Sequence, residues 1–471
     1  MGRIIIMDED RLFPSDPAER GIARRLYGEV KNLPIVSPHG HTDPRWYADN
    51  EAFADPASLL LTPDHYLFRM LYSQGVPLEK LGIPRSDGVP VEEDPLKIWR
   101  LFAEHYYLFR GTPSRMWFEH VLYFLFGIDQ RLDPANADEI YDRLAAALAR
   151  TEFRPRALFE RFNIEVLATT DSPLGSLEHH RAIAASGWGG RVIPAFRPDP
   201  VTDPDFDGFR ENVVRLGGIT GEDTGSWEGY LRALAARRRF FREMGATSTD
   251  HGHPSAVTAD LPPAACRELF GKVLKGAFGA QEAELFRGQI LTEMVRMSLE
   301  DGMVVQIHPG SWRDHNPALF RTFGRDKGAD IPMRTDYVRA LKPLLDRFGN
   351  EPGLTVILFT LDEGAYSREL APLAGHYPIL RLGSPWWFFD SPEGMLRYKR
   401  LVVETAGFYN TAGFNDDTRA FLSIPARHDM ARRIDCAHLA ELVGRHRLDE
   451  DEAAETAIDL AYRLAKEAYR L

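Results

Sequence analysis

The chain has 471 residues, of which 57 are Lys or Arg and 69 are Asp or Glu, for a formal net charge of −12. That balance argues against nucleic acid as the main partner, since phosphate binding needs a basic surface, and no stretch approaches the run of about 20 apolar residues that a membrane span needs. Only Cys266 and Cys436 are present, too few for a disulfide framework, and MGRIIIMDEDR lacks the apolar stretch of a signal peptide, so a cytoplasmic enzyme is expected.

The length exceeds the usual single-domain size, and an α/β barrel with insertions is one of the few single-core solutions for it. Short apolar runs alternate with helical stretches, which favours parallel strands with helical crossovers. The first run, LPIVS, leads into His39 and His41. Residues two apart on an extended chain point to the same side, so both imidazoles can aim at one point beyond the strand. Random placement of 15 histidines gives about 0.5 such triplets. A second one, His251-Gly252-His253, exists, and the strand-like run before it is weaker.

Residues 56–161 are rich in aromatics, as in KIWRLFAEHYYLFRG and MWFEHVLYFLFG. This is too long for a barrel loop and too apolar for a disordered linker. The expectation is a helical insertion (56–161) beside the mouth of a barrel made by residues 1–55 and 162–471. Within it, DHYLFRML puts Tyr66 and Arg69 at i, i+3, able to share a helix face. Aromatic packing is the alternative for Tyr66.

Seven further runs follow: IEVLATT before Asp171, RVIPAF before Arg197, GATST before Asp250, MVVQI before His308, TVILFTL before Asp362, PILRLG before Ser384 and YNTAGFN before Asp416. With LPIVS they fit a (β/α)8 barrel, whose catalytic residues sit at the C-terminal ends of strands. GATST and YNTAGFN are the weakest. From Glu450 an amphipathic helix places Ala454, Ile458, Ala461, Leu464, Ala465 and Ala468 on one face.

A divalent-metal site on a barrel rim wants imidazoles plus a carboxylate, with positions left open for substrate. His39, His41 and His308 offer the first. GFNDDTR offers the second, and since neighbours on an extended chain face opposite ways, only one of Asp416 and Asp417 can point at a metal. Asp417 and Arg419 share a face if the strand continues, pairing a proton acceptor with a group that stabilises developing negative charge. Arg197 can hold a carboxylate through two parallel hydrogen bonds, or else pair with Asp199. Asp171, His251, Trp386, Trp387 and Arg69 complete the expected substrate contacts, with helix caps and core packing as their alternatives. No phosphate loop, nucleophile elbow or dinucleotide fingerprint is present.

Taken together, HxH at His39 and His41, DHYLFR, TTDSPLGSLEHH, FRPD, DHG, QIHPGSWRDHN, GSPWWF and DDTRAFLSIPARHD, in that order, resemble uronate isomerases of the amidohydrolase superfamily over about nine-tenths of the chain. Ser37 departs from the pattern, standing where many relatives carry aspartate. The resemblance implies a (β/α)8 barrel and an aldose–ketose isomerase. It implies one zinc-like divalent metal near His39, His41 and Asp417, with His308 as a further contact. Tyr66 and Arg419 would polarise the substrate, Arg197 would bind its carboxylate, and a homo-oligomer is expected. The competing reading is a metal-dependent hydrolase of a sugar-acid lactone or amide. A non-catalytic sugar-acid binder is a third, and it would need a degraded site.

Overall fold

In the computed structural model, which describes residues 3–471, seven of the eight apolar runs are strands. They are β1 (Ile35–Ser37), β2 (Ile164–Asp171), β3 (Arg191–Phe196), β4 (Ser248–His251), β5 (Val304–Ile307), β8 (Val356–Leu358) and β9 (Leu380–Leu382). All neighbours pair in parallel, in the order β1-β2-β3-β4-β5-β8-β9. The strands are buried almost throughout because helices cover the outer face and side chains fill the inner one. Two short strands, β6 (Ser311–Trp312) and β7 (Ile331–Pro332), form an antiparallel ribbon in the long loop after β5.

The eighth run does not form the expected strand. Among the described residues its ladder is one bridge, Thr411 to Leu382, flanked by Leu382 N–H to Asn410 O and Ala412 N–H to Leu382 O, both 2.8 Å. Gly413 then takes φ +69, and a Cβ there would sit 2.8 Å from the backbone nitrogen of Ala465. Asp417 follows at φ +39. Left-handed residues break an extended run, so the last segment closes the curled sheet as a loop rather than a ladder. The closing bond is His41 N–H to the carbonyl of Thr418, 3.0 Å.

Residues 56–161 are helical in pieces, from Pro56–Leu60 to Pro155–Arg161. Asp55, Asp64 and Asp94 cap helices by accepting backbone N–H groups, which fixes where each starts. Trp99, Phe102 and Phe109 are fully buried in a core continuous with Ile35 of β1 and with Ile164 and Leu167 of β2. Each buried aromatic contributes about 1.5–3 kcal/mol, which anchors this segment to the sheet rather than leaving it tethered by its ends. The helix from Glu450 carries a π turn at Asp459–Arg463. The extra residue shifts the buried face, so Ala453 and Ala457 before the turn and Leu460 within it are covered one position from the expected stripe, while Leu464, Ala465 and Ala468 after it are buried as expected. No helix among the described residues is long and apolar enough to cross a membrane.

Candidate functional site

The loops after the strands surround a cavity of about 360 Å³ at the C-terminal ends of the sheet. His39, His41, Tyr66, Asp171, Arg197, His308, Trp386, Trp387, Asp417 and Arg419 all line it. Two expected contacts do not. Arg69 lies one helical turn beyond Tyr66, with its guanidinium over the Phe388 ring, 4.6 Å from the centroid. His251 is fully buried with its Nε2 3.0 Å from the Thr249 hydroxyl on its own strand. Side chains alternate along β4, so Asp250 takes the inward position and His251 the opposite face.

Asp417 meets the first histidine pair. Its Oδ1 lies 3.0 Å from His41 Nε2 and 3.3 Å from His39 Nε2. That oxygen has no hydrogen-bond partner among the described residues, nor does His39 Nδ1. A buried carboxylate oxygen facing two imidazole nitrogens needs a proton or a cation between them. The donor set of two imidazoles and one carboxylate fits a divalent metal. Burial alone would raise the Asp417 carboxyl, and the two imidazoles more than offset it, holding it well below the usual carboxylate range. Its neighbour Asp416 turns the other way. Asp416 Oδ2 is 3.1 Å from His428 Nε2, and the Arg427 guanidinium donates to the Asp416 carbonyl at 3.3 Å.

His308 stacks on His39 with ring centroids 4.8 Å apart. Its Nδ1 is 2.7 Å from Asp250 Oδ1, and its Nε2 has no hydrogen-bond partner among the described residues. Donation from Nδ1–H fixes the tautomer and leaves a lone pair on Nε2. Asp250 is wholly buried and also accepts from Arg197 Nη1 at 2.9 Å. Burial would raise Asp250, and the Arg197 guanidinium with His308 and His39 holds it well below the ordinary value. Arg197 Nε donates to Asp199 Oδ2 at 2.8 Å, so the ion pair and the cavity position coexist. Two carboxylates fix the guanidinium, and its Nη2 packs against Gly252, where a Cβ would sit 2.3 Å away.

The remaining walls are charged and aromatic. Tyr66 is held in its phenol form by burial. Its ring stacks on His65 at 4.9 Å, and His65 is pushed down to about 3 by burial, so it is neutral at physiological pH. Burial raises Asp171 to about 6. Trp386 packs edge-on to His308 at 4.8 Å. Arg419 donates to Asp326 at 3.2 Å, and Arg313 to Asp330 at 2.8 Å, both acids belonging to the loop after β5. That loop is pinned to the helical segment by Ser86 N–H to Thr322 O, 2.8 Å, and to the loop after β3 by Arg325 to Asp207, 3.2 Å.

His65, Arg313 and Asp326 line the cavity without having been singled out from the sequence, and Asp250, noted there only as the end of the fourth run, supports it through His308 and Arg197. Asp250 carries a usable signal: of two adjacent polar residues at a strand end, one must face inward. Arg313 and Asp326 carry none, since only the folded loop brings them to the mouth.

Comparison with known proteins follows the same lines. A sequence profile of the glucuronate isomerase family matches residues 14–469. A uronate isomerase of Rhizorhabdus wittichii is 67% identical over 462 residues, covering 98% of this chain and 98% of that protein. The crystal structure of glucuronate isomerase from Caulobacter crescentus superposes with a TM-score of 0.98 at 60% identity, covering 99% of this chain and 98% of that one. That of uronate isomerase from Thermotoga maritima gives 0.92 at 29% identity, over 99% and 100%.

Proposed function

Because the chain belongs to the glucuronate isomerase family, we propose that it interconverts D-glucuronate with D-fructuronate, and D-galacturonate with D-tagaturonate, by proton transfer within one cavity. The observation that carries this reading is the meeting of Asp417 with His39 and His41 in a cavity that also takes Arg197, Arg419 and Tyr66. Resident metal, which we take as zinc, would be held by His39, His41 and Asp417 with His308 beside them, and when bound it supplies Lewis-acid polarisation of the substrate carbonyl.

The open-chain aldehyde binds with its distal carboxylate on Arg197. Asp250 and Asp199 keep that guanidinium charged and aimed, so little ordering remains when substrate arrives. Trp386, Trp387 and Asp171 line the path of the polyol. Asp417, ionised at neutral pH, accepts the proton at C2, alpha to the carbonyl. Charge then gathers on the C1 oxygen as a cis-enediolate, which Arg419 and the Tyr66 phenol stabilise by donation. With the O2 hydroxyl proton passed across to O1, return of the C2-derived proton to C1 from the same face closes the C2 carbonyl and gives the ketose.

Hydrolysis of a sugar-acid lactone or amide is the other chemistry the imidazole–carboxylate set allows, and the family does not favour it. Cys266 and Cys436 are free and buried, which suits a cytoplasmic enzyme, and a homo-oligomer belongs to the same reading. Proton NMR of each uronate with the zinc-loaded protein in heavy water is the test. Appearance of ketose with loss of the C2 proton supports the proposal. Acid release from a uronolactone with no ketose from either uronate would replace it with the hydrolase.

A further inference from the structure

The second histidine pair of the sequence lies outside the chemistry above. His251, at the end of β4, and His253 beyond it are both buried, and their ring centroids are 5.9 Å apart. One ligand-type atom from each, with a carboxylate oxygen of buried Asp199, lie within 4.8 Å of one another. Neither ring nitrogen of His253 has a hydrogen-bond partner among the described residues, nor does His251 Nδ1. Three unsatisfied buried nitrogens in one cluster are costly unless something else fills their lone pairs.

The Thr249 hydroxyl holds one ring nitrogen of His251. Its Nε2 is 3.0 Å from the Thr249 hydroxyl, which itself donates to the Val304 carbonyl at 3.5 Å. In the tautomer with Nε2–H donating to Thr249, Nδ1 keeps its lone pair, the arrangement of a metal-ligating histidine with its other nitrogen held. Asp199 is already anionic through Arg197, and its oxygens also take Gly252 N–H at 3.2 and 3.3 Å. Gly252 is what lets the pair descend on Asp199, since a Cβ there would lie 2.9 Å from Asp199 Oδ2.

We propose that His251, His253 and Asp199 hold a second divalent transition-metal ion, of zinc type, at a buried structural site behind the substrate cavity. Two imidazoles and one carboxylate are a zinc-type donor set that leaves a fourth position for water, and the three ligand atoms, now within 4.8 Å of one another, would close to about 3.4 Å around a tetrahedral ion. Such an ion ties the loop after β3 to the loop after β4. Asp199 carries Arg197, and Pro254 O accepts Gly310 N–H at 3.0 Å, so the loop after β5 hangs on the same junction. The site therefore acts as a positioning element for the carboxylate-binding arginine, a role that rests on the reading of Arg197 given above.

The test counts metal in full-length protein reconstituted with zinc and desalted. Wild type is expected to retain two equivalents, the His39→Asn/His41→Asn variant one, and His253→Gln one. His253→Gln should also raise KM for uronate more than it lowers kcat. One equivalent in wild type and none in His39→Asn/His41→Asn would overturn the proposal and leave the active-site reading intact. One equivalent that survives in that variant but is lost in His253→Gln would support the second site and remove the metal from the first. Wild type that retains no zinc overturns both. If His253→Gln fails to fold, the count in His39→Asn/His41→Asn decides alone.

Discussion

The backbone N–H of His41 donates to the carbonyl of Thr418 at 3.0 Å, joining the first strand's loop to the last segment of the curled sheet. This bond places Asp417 against the imidazoles of His39 and His41, while its left-handed backbone turns Asp416 toward His428. Two adjacent aspartates thus have opposite duties. Asp416→Asn should lower stability by about 1–3 kcal/mol, the usual loss on disturbing a buried hydrogen bond, and leave bound zinc unchanged. Thermal unfolding alongside metal analysis checks it, and zinc loss in Asp416→Asn would mean the two acids are exchanged.

Asp250 is the junction between His308 and Arg197, accepting at 2.7 and 2.9 Å with no exposure of its own. Asp250→Asn leaves the guanidinium with Asp199 as its one remaining carboxylate and frees the His308 tautomer. Breaking a buried pair of this kind costs about 3–5 kcal/mol. The expected result is a lower unfolding midpoint in denaturant together with a KM for uronate raised roughly tenfold or more.

Gly252→Ala tests how tightly Arg197 is held. The added Cβ would meet Arg197 Nη2 at 2.3 Å, and the guanidinium cannot swing away without losing Asp199 or Asp250. A displacement of about 1 Å at a substrate anchor can cost up to ~100-fold in turnover efficiency. Steady-state kinetics should show most of the loss in KM, and unchanged kinetics would remove Arg197 from carboxylate binding.

Asp171 supplies a pH signature. Burial raises it to about 6, above the ordinary carboxyl. A carboxyl raised in the folded state favours folding most while protonated, so its contribution is full below about pH 4 and is lost as pH rises through 6. In the cavity the same ionisation adds negative charge where an anionic sugar binds. Asp171→Asn should therefore flatten a decline in kcat/KM above pH 6, and should gain stability over wild type at pH 8 relative to pH 4.5. Superimposable pH profiles would place Asp171 away from the substrate.

The parallel sheet was legible because its strands are buried on both faces and read as apolar runs that end in polar residues. The eighth run misled because Gly413 and Asp417 adopt left-handed backbone, which no period-two pattern reveals. Even so, Asp417 and Arg419 reach one cavity, by loop geometry rather than by sharing a strand face. Arg69 was drawn in by its i, i+3 spacing from Tyr66. Spacing gives a shared face but not which turn of the helix meets the cavity, and Arg69 lies on the farther turn against Phe388. Asp250 stands beside a more conspicuous histidine at the end of the weak GATST run, and only the strand's inward face decides between them. Arg313 and Asp326 depend on how a long loop folds across the mouth, information that resides in tertiary contacts such as Arg325 with Asp207.

The most direct test of the central claim is deuterium exchange at C2 of D-glucuronate, followed by proton NMR in heavy water with zinc-loaded Asp417→Asn whose metal content has been measured. With Asp417 as the proton acceptor, the C2 signal persists in the variant while wild type washes it out as ketose forms. Loss of that signal in Asp417→Asn at a rate within tenfold of wild type would contradict the account.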